Sequence, residues 1–337
     1  MFKIDYSLNV NPLGVPKSFK KNVQKSLDKL CGRHEEKEKS ALKAIAGYHQ
    51  ITKKNIVIGS GGSELLHLAV KTLRPSKALV AFPSTPLYAK ACKDNGCDVV
   101  PYILDGRQDF DADFESFAVA ASVGVDMVIL SNPNNPTGRI IPKHVLMKIL
   151  DYCQEKGIYV ILDEEYADFV SADISAIKYI SRYANIIILR TLANYFSLKG
   201  LRFAYAIASD SLADVLRMNR MPRTMGYLPL MAFETLFGDL KYIKKTKMWL
   251  LSEPKRFYHM ISTVGGVRAY KPFANYIFIE LQQIPAAILC ERLKNKGITV
   301  RNCSKFGVPE GGQYIRISIK DKKSNEKFLD KFSRCLL

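Results

Sequence analysis

Three short strings in this chain place chemically capable residues at the ends of apolar runs. Ile58-Gly59-Ser60-Gly61-Gly62-Ser63-Glu64-Leu65 joins a strand-like run to a helix-like one. Glycines let the backbone approach an anion, and a helix N-terminus offers it unpaired amides. Taken alone, a glycine-rich turn is weak evidence of a site. Ser131-Asn132-Pro133-Asn134-Asn135-Pro136-Thr137-Gly138 follows the apolar run Met127 to Leu130. Its prolines and glycine force a rigid, irregular loop at a strand's C-terminal edge, where ligands bind in open α/β sheets; by composition it is only a loop. Asp163 ends the run Tyr159 to Leu162 in the string Leu162-Asp163-Glu164-Glu165-Tyr166. A carboxylate there can hold a cationic ring nitrogen, whereas the simpler reading is an acidic cluster at a strand end. Two further residues read as structural in isolation: Tyr88 as core, and Arg316, on the strand-like Tyr314 to Ile319, as one half of a salt bridge.

The elements that must position these residues alternate along the chain. Helical patterns over Ser40 to His49, Ser63 to Leu73, Leu87 to Asn95 and Pro142 to Lys156 alternate with short apolar, β-branched runs. Those runs are Asn55 to Ile58, Ala78 to Ala81, Asp98 to Tyr102, Met127 to Leu130, Tyr159 to Leu162 and Asn185 to Leu189. This alternation predicts a mostly parallel sheet of α/β class. The last third differs. A long helical stretch, Leu228 to Thr263, leads to a strand over Tyr276 to Glu280 and a helix over Pro285 to Lys296. Strands over Ile298 to Arg301 and Tyr314 to Ile319 follow, with a closing helix from Lys323. The expected division is an arm over 1–35, a large α/β domain over 36–225 and a smaller α+β domain over 226–337.

A chain of 337 residues with 47% apolar content can bury a large core and divides naturally in two. It has no apolar run long enough to span a bilayer, and its first residues have no secretory h-region. Seven cysteines, without a C-x-x-C pair, read as the reduced thiols of a cytoplasmic protein, and no metal site is expected. The net charge of +18 could serve nucleic-acid binding, but the lysines and arginines are spread along the chain with no basic tail. The densest stretch, Lys241 to Lys247, is interleaved with apolar residues as in an amphipathic helix. A solvated basic surface is the expectation, attraction of an anionic small substrate the functional alternative, and neither nucleic acid nor membrane is an expected partner.

Around one residue the strings converge. Arg190-Thr191-Leu192-Ala193-Asn194-Tyr195-Phe196-Ser197-Leu198-Lys199-Gly200-Leu201-Arg202 resembles the anchoring segment of fold-type I pyridoxal-phosphate (PLP) enzymes, R-T-[LF]-[ST]-K-x-[FY]-x-[LI]-x-G-L-R. There a lysine eight residues before the arginine carries the cofactor as a Schiff base; here that position is Asn194, whose amide cannot form an imine. The loop string N-P-x-N-P-T-G is similar to the signature of class I/II aminotransferases, and Asp163 follows Asn135 by 28 residues, as in that family. The resemblance implies that Asn135 and Tyr166 reach the cofactor's phenolic oxygen and that Tyr88 stacks on its ring. It implies that Asp163 pairs with the ring nitrogen, while Gly62, Ser63, Thr191 and Arg202 hold the phosphate. It also implies that Arg316 forks onto a substrate carboxylate, with Asn11 and Arg301 beside it, and that the chain works as a homodimer.

Two details narrow the branch. Asp5-Tyr6-Ser7-Leu8-Asn9-Val10-Asn11-Pro12-Leu13-Gly14 and Val300-Arg301-Asn302-Cys303-Ser304-Lys305-Phe306 resemble the threonine-phosphate decarboxylases of cobalamin synthesis. The implied function is decarboxylation of a phosphorylated amino acid, with PLP held noncovalently or as an external aldimine. The alternatives are an aminotransferase of the histidinol-phosphate type and a catalytically degenerate binding protein. Besides Asn194, three positions depart from the family: Ala193 where a phosphate-binding Ser or Thr is expected, Arg33-His34-Glu35-Glu36, and Pro222-Arg223-Thr224-Met225-Gly226. A single replaced lysine explains Asn194 alone, whereas several departures favour natural divergence. Lys199, five residues downstream and beyond the turn, is not expected to substitute. Asn194→Lys should then restore attachment but little catalysis, with Ala193→Ser adding roughly 1–2 kcal/mol per recovered hydrogen bond.

Overall fold

In the computed structural model, which describes residues 4–30, 34–170, 172–309 and 311–336, the chain enters as strand β1 (Ile4–Asp5) and helices α1 (Lys17–Ser26) and α2 (His34–His49). Seven strands then build one sheet. They are β2 (Ile56–Gly59), β3 (Lys77–Phe82), β4 (Asp98–Ile103), β5 (Met127–Ser131), β6 (Tyr159–Asp163), β7 (Ile186–Arg190) and β8 (Ala204–Ala208). Helices α3 (Gly62–Leu73), α4 (Leu87–Asp94), α5 (Phe114–Ala121), α6 (Lys143–Glu155) and α7 (Asp210–Asn219) connect or follow them. The spatial order is β2-β8-β7-β6-β5-β3-β4, and only β8 runs antiparallel to its neighbours.

Strands buried on both faces must be apolar throughout, and β5 and β7 are buried at every residue. Alternation along β6 and β7 divides the core between the faces. Ile161 and Ile187 pack with Leu65, Leu66 and Leu216, whereas Val160, Leu162 and Ile188 pack with Ile149, Met231 and Phe233. The C-terminal ends of β2, β5, β6 and β7 feed the glycine-rich turn, the Asn-Pro loop, the Asp163 string and the Asn194 string respectively.

Strand β8 does not follow from the sequence pattern, because Ala204-Tyr205-Ala206-Ile207-Ala208 contains a single β-branched residue. The expected helix Leu228 to Thr263 is two: α8 (Tyr227–Leu236) and α9 (Leu240–Ser262). Between them lie Phe237 and Gly238, and Asp239 caps the new helix by accepting from the Tyr242 amide at 2.9 Å. Leu230, Met231, Phe233 and Leu236 of α8 share the core of the large sheet. The charged stretch Lys241–Lys247 lies on α9 with Tyr242 and Thr246 buried and its lysines exposed, as amphipathic spacing requires.

The C-terminal unit is a four-stranded antiparallel sheet, β12-β13-β10-β9, from β9 (Val267–Tyr270), β10 (Tyr276–Leu281), β12 (Arg301–Asn302) and β13 (Tyr314–Ser318). The expected strand Ile298 to Arg301 is split into β11 (Ile298–Thr299) and β12, and β1 joins β11 in parallel. Helices α10 (Ala286–Asn295) and α11 (Lys322–Leu336) cover one face through Leu289, Leu293, Phe328 and Phe332. The opposite face of β10 and β13, with Tyr276, Phe278 and Tyr314, packs into the core of the large sheet. Among the described residues no helix is long and apolar enough to cross a membrane.

Candidate active site

The strand ends and the small sheet enclose a cavity of about 560 Å³, within the range of cofactor sites. Its lining brings together Gly62, Ser63, Tyr88, Asn135, Asp163, Tyr166, Thr191, Arg202, Arg301 and Arg316. They come from the ends of several strands and the loops after them, up to 254 positions apart in the chain, so no single local segment assembles the site.

Asp163 forms the acidic end. Its Oδ2 accepts from the Tyr88 hydroxyl at 2.8 Å and its Oδ1 from the Glu165 amide at 2.9 Å. Burial, reinforced by the charge of Glu165, raises its carboxyl from 3.8 to about 7. Each carboxylate oxygen keeps a second lone pair, so a cationic ring N–H can still be accepted. Asn135 is presented by a rigid loop. Asn134 within that loop donates to the Pro83 carbonyl at 3.0 Å and to Thr137 Oγ1 at 2.9 Å, while its own carbonyl accepts from the Tyr276 hydroxyl at 2.7 Å. Tyr166 is buried and its hydroxyl accepts from Asn9 Nδ2 at 3.3 Å. Burial raises its phenol, which therefore stays a proton donor.

The glycine turn forms the cationic end. Gly61 has φ +103°, and a Cβ there would come within 2.7 Å of Arg202 Nη2. Only glycine lets the guanidinium lie this close to the first amides of α3, which point their positive end at the cavity. Thr191 lines the cavity, but its hydroxyl donates to the Phe203 carbonyl at 2.6 Å and accepts from the Ala193 amide at 3.1 Å.

Strand alternation turns Ile315 and Ile317 into the small core and Arg316 towards the cavity. The guanidinium lies over the Tyr276 ring at 5.4 Å and donates to Asn135 Oδ1 and to the Ser7 carbonyl, while its Nε has no protein partner. Arg301 sits opposite Arg316 in the β12–β13 register and also lines the cavity.

Three residues change the sequence-based picture. Asn194 is only 1 % exposed and is not part of the lining; its Nδ2 donates to Glu165 Oε1 at 2.7 Å, and its Oδ1 has no protein partner. Glu165 does line the cavity. The signal for it was available, since alternation past β6 puts residues 163 and 165 on one side and Glu164 on the other. Glu164 accordingly pairs with Arg190 at 2.9 Å on the opposite face, where Arg190 also meets Asp168 at 2.7 Å. Lys199 reaches the lining despite the turn that separates it from Asn194, and burial lowers its ammonium from the ordinary lysine value.

Asn11 is not brought to the cavity. Its Nδ2 donates to the Tyr195 carbonyl at 2.9 Å and Thr246 Oγ1 at 2.8 Å, and its Oδ1 accepts from the Leu13 amide at 3.0 Å. Its polar atoms are spent fastening the N-terminal arm to the Asn194 loop and α9. Arg33 lies outside the described residues. The divergent segments containing Glu35 and Arg223 meet each other in an exposed ion pair of 2.5 Å. A larger cavity of about 1030 Å³ lies on the other face of the sheet, where Arg190 and Asp168 line it; it contains none of the strand-end cluster except Arg190.

The donor set fits PLP. It offers an amide cradle that a side chain at residue 61 would fill, an arginine beside it, a carboxylate at the far end, and phenol and amide donors between. The model of the family Aminotransferase class I and II matches residues 3–332. The chain is 30% identical over 331 residues to threonine-phosphate decarboxylase of Salmonella typhimurium, covering 97% of this chain and 89% of the relative. It is 28% identical to histidinol-phosphate aminotransferase of Ruminiclostridium cellulolyticum, covering 98% and 91%. Among solved structures, histidinol-phosphate aminotransferase from Clostridium acetobutylicum superposes with TM-score 0.92 at 30% identity over 99% of both chains. Site, fold and similarity over nearly the whole length agree: the chain belongs to the class I and II aminotransferase family of PLP-dependent enzymes.

Proposed function

We propose that this protein holds PLP noncovalently in the cavity and acts on a small phosphorylated amino acid, in the manner of a threonine-phosphate decarboxylase. The observation that carries this reading is the surplus of cations in the lining. Arg202 with the α3 amides suffices for the cofactor's phosphate, yet Arg301, Arg316, Lys199 and Lys305 line the same space. A substrate bearing both a carboxylate and a phosphate uses that surplus. Bound PLP supplies an electron sink. The chain's own residues then hold the ring nitrogen (Asp163), keep the phenolic oxygen hydrogen-bonded (Tyr166, Asn135) and fix the substrate carboxylate (Arg316). The exposed Glu35–Arg223 pair joins two segments that both depart from the family pattern, which supports natural divergence over one replaced lysine. In this reading the enzyme is a cytoplasmic homodimer.

The substrate test compares CO2 release from O-phospho-L-threonine with keto-acid-dependent amino transfer from L-histidinol phosphate. Release of CO2, with Arg316→Ala raising KM by about 10²-fold as a lost charged hydrogen bond implies, supports the decarboxylase reading. Histidinol phosphate lacks a carboxylate. Turnover of it alone, with a KM for histidinol phosphate insensitive to Arg316→Ala, would establish the aminotransferase reading, which the Clostridium acetobutylicum superposition favours. No binding of either substrate would leave the degenerate binding protein.

The mode of cofactor retention has its own test. Lys199 sits among Arg202, Arg301 and Arg316, with Glu165 as its countercharge, in the part of the cavity suited to substrate anions. Borohydride treatment of the PLP-loaded protein is therefore expected to leave the cofactor removable by dialysis in denaturant. A reduced adduct on Lys199 by peptide mass spectrometry would refute noncovalent retention.

A further inference from the structure

We propose that Glu165 is the general acid–base of this site and that Asn194 is its positioning residue. The inference rests on the reading that the cavity holds PLP and decarboxylates a phosphorylated amino acid.

Strands β6 and β7 are parallel neighbours with Asp163 opposite Leu189, so the segments leaving them run side by side. Glu165 on one and Asn194 on the other meet at 2.7 Å, with the amide donating to Oε1. An amide exchanges no proton at useful pH, so Asn194 can orient the carboxylate but cannot replace it. With Oε1 engaged, Oε2 is the oxygen open to substrate. Glu165 faces Asp163, Tyr166, Lys199 and Arg316 across the cavity, and each of these has another task or an unsuitable proton. Asp163 accepts from Tyr88 and the Glu165 amide and is the partner for a ring nitrogen. The Tyr166 phenol is held protonated by burial, the Arg316 guanidinium is committed to Asn135 and the Ser7 carbonyl, and Lys199 lies among the arginines. Among the described lining residues Asp163 and Glu165 are the only carboxylates.

The step balances without a further reagent. When CO2 leaves the substrate's α-carbon, the bonding pair stays with the substrate. The proton on Glu165 Oε2 then forms the new C–H bond, and water returns a proton to the carboxylate. The sum is R–COO⁻ plus H⁺ giving R–H plus CO2.

The experiment uses the full chain with PLP and O-phospho-L-threonine in D2O. It reads the PLP dissociation constant by fluorescence, the pH titration of the bound cofactor's absorbance, and deuterium at the α-carbon by NMR. Glu165→Gln is expected to hold PLP within about 3-fold of the parent while losing 10²–10⁴-fold in deuteration, the range for a lost general acid–base group. One ionisation should also vanish from the absorbance titration. Acetate and formate should restore part of the rate to Glu165→Ala in order of their basicity, which a purely structural side chain would not produce. Asn194→Asp places two carboxylates in contact and should move the pH midpoint of deuteration upward by about one unit. Parental deuteration in Glu165→Gln would overturn the proposal, as would a loss confined to Lys199→Ala. Failure of the unmutated protein to bind PLP, or binding of PLP without any deuteration of O-phospho-L-threonine, refutes the proposed function instead, and both are read on the parent before any variant is measured.

Discussion

Asp163→Asn is expected to weaken PLP binding by about 2–5 kcal/mol, the scale for truncating one partner of a buried, hydrogen-bonded charge pair. In affinity that is roughly 30- to several-thousandfold. The same substitution should stabilise the protein without cofactor, and only at higher pH. Burial and the neighbouring Glu165 lift the Asp163 carboxyl from 3.8 to about 7. For an acid whose folded value is raised, the stabilising contribution is complete below the unfolded value and is lost as pH rises through the folded one. The cofactor-free protein therefore loses stability from this residue between pH 4 and pH 7, and asparagine, which does not titrate, removes that loss. We expect Asp163→Asn to melt with the parent near pH 4 and a few degrees above it at pH 8, for a gain on the order of 4 kcal/mol, the linkage of a carboxyl carried from 3.8 to about 7. Calorimetric titration with PLP and melting curves at the two pH values check both halves. Unchanged PLP affinity would remove Asp163 from the site, and a variant less stable than its parent at pH 8 would contradict the raised carboxyl. The opposed signs are those of a binding site held ready at a cost to the empty fold.

Asn194→Lys carries the second large effect, and the structure alters what the resemblance alone implies. A lysine at 194 would enter a site 1 % exposed and meet the Glu165 carboxylate that the amide now contacts at 2.7 Å. Burial disfavours an ammonium there, as it does at Lys199, but direct hydrogen-bond contact with the Glu165 carboxylate outweighs it, and an ammonium is no nucleophile. The single variant is thus expected to bind PLP but attach it covalently only at alkaline pH. Adding Glu165→Ala should bring attachment to neutral pH. Borohydride trapping followed by peptide mass analysis, run from pH 6 to pH 10, measures this directly. Full attachment at pH 7 by the single variant would show that Glu165 does not hold the new ammonium. Ala193→Ser is expected to add little, since Ala193 does not line the cavity and its amide is committed to Thr191.

Much of the fold was legible because its signals are local. Short apolar runs mark β5, β6 and β7, since a strand buried on both faces has no polar side to interrupt it. The turn over residues 59–63, the Asn-Pro loop and Asp163 stand in sequence at the strand ends where the structure places them around one cavity. What escaped depends on contacts between distant segments. The alanine-rich β8 is held by its neighbours β2 and β7 rather than by its own propensity. Asn11 reads as part of a binding motif, yet its hydrogen bonds to Tyr195 and Thr246 make it a fastening of the arm. Glu165 and Asn194 are 29 residues apart, and each alone looks like a surface carboxylate or a lost lysine. Only the parallel pairing of β6 with β7 brings them to hydrogen-bond distance. The sequence by itself therefore determined the central strands, the helices between them and the family, which rest on local periodicity and short motifs. The tertiary structure decided which polar groups share the cavity, because strand order and register are set by burial across the whole core.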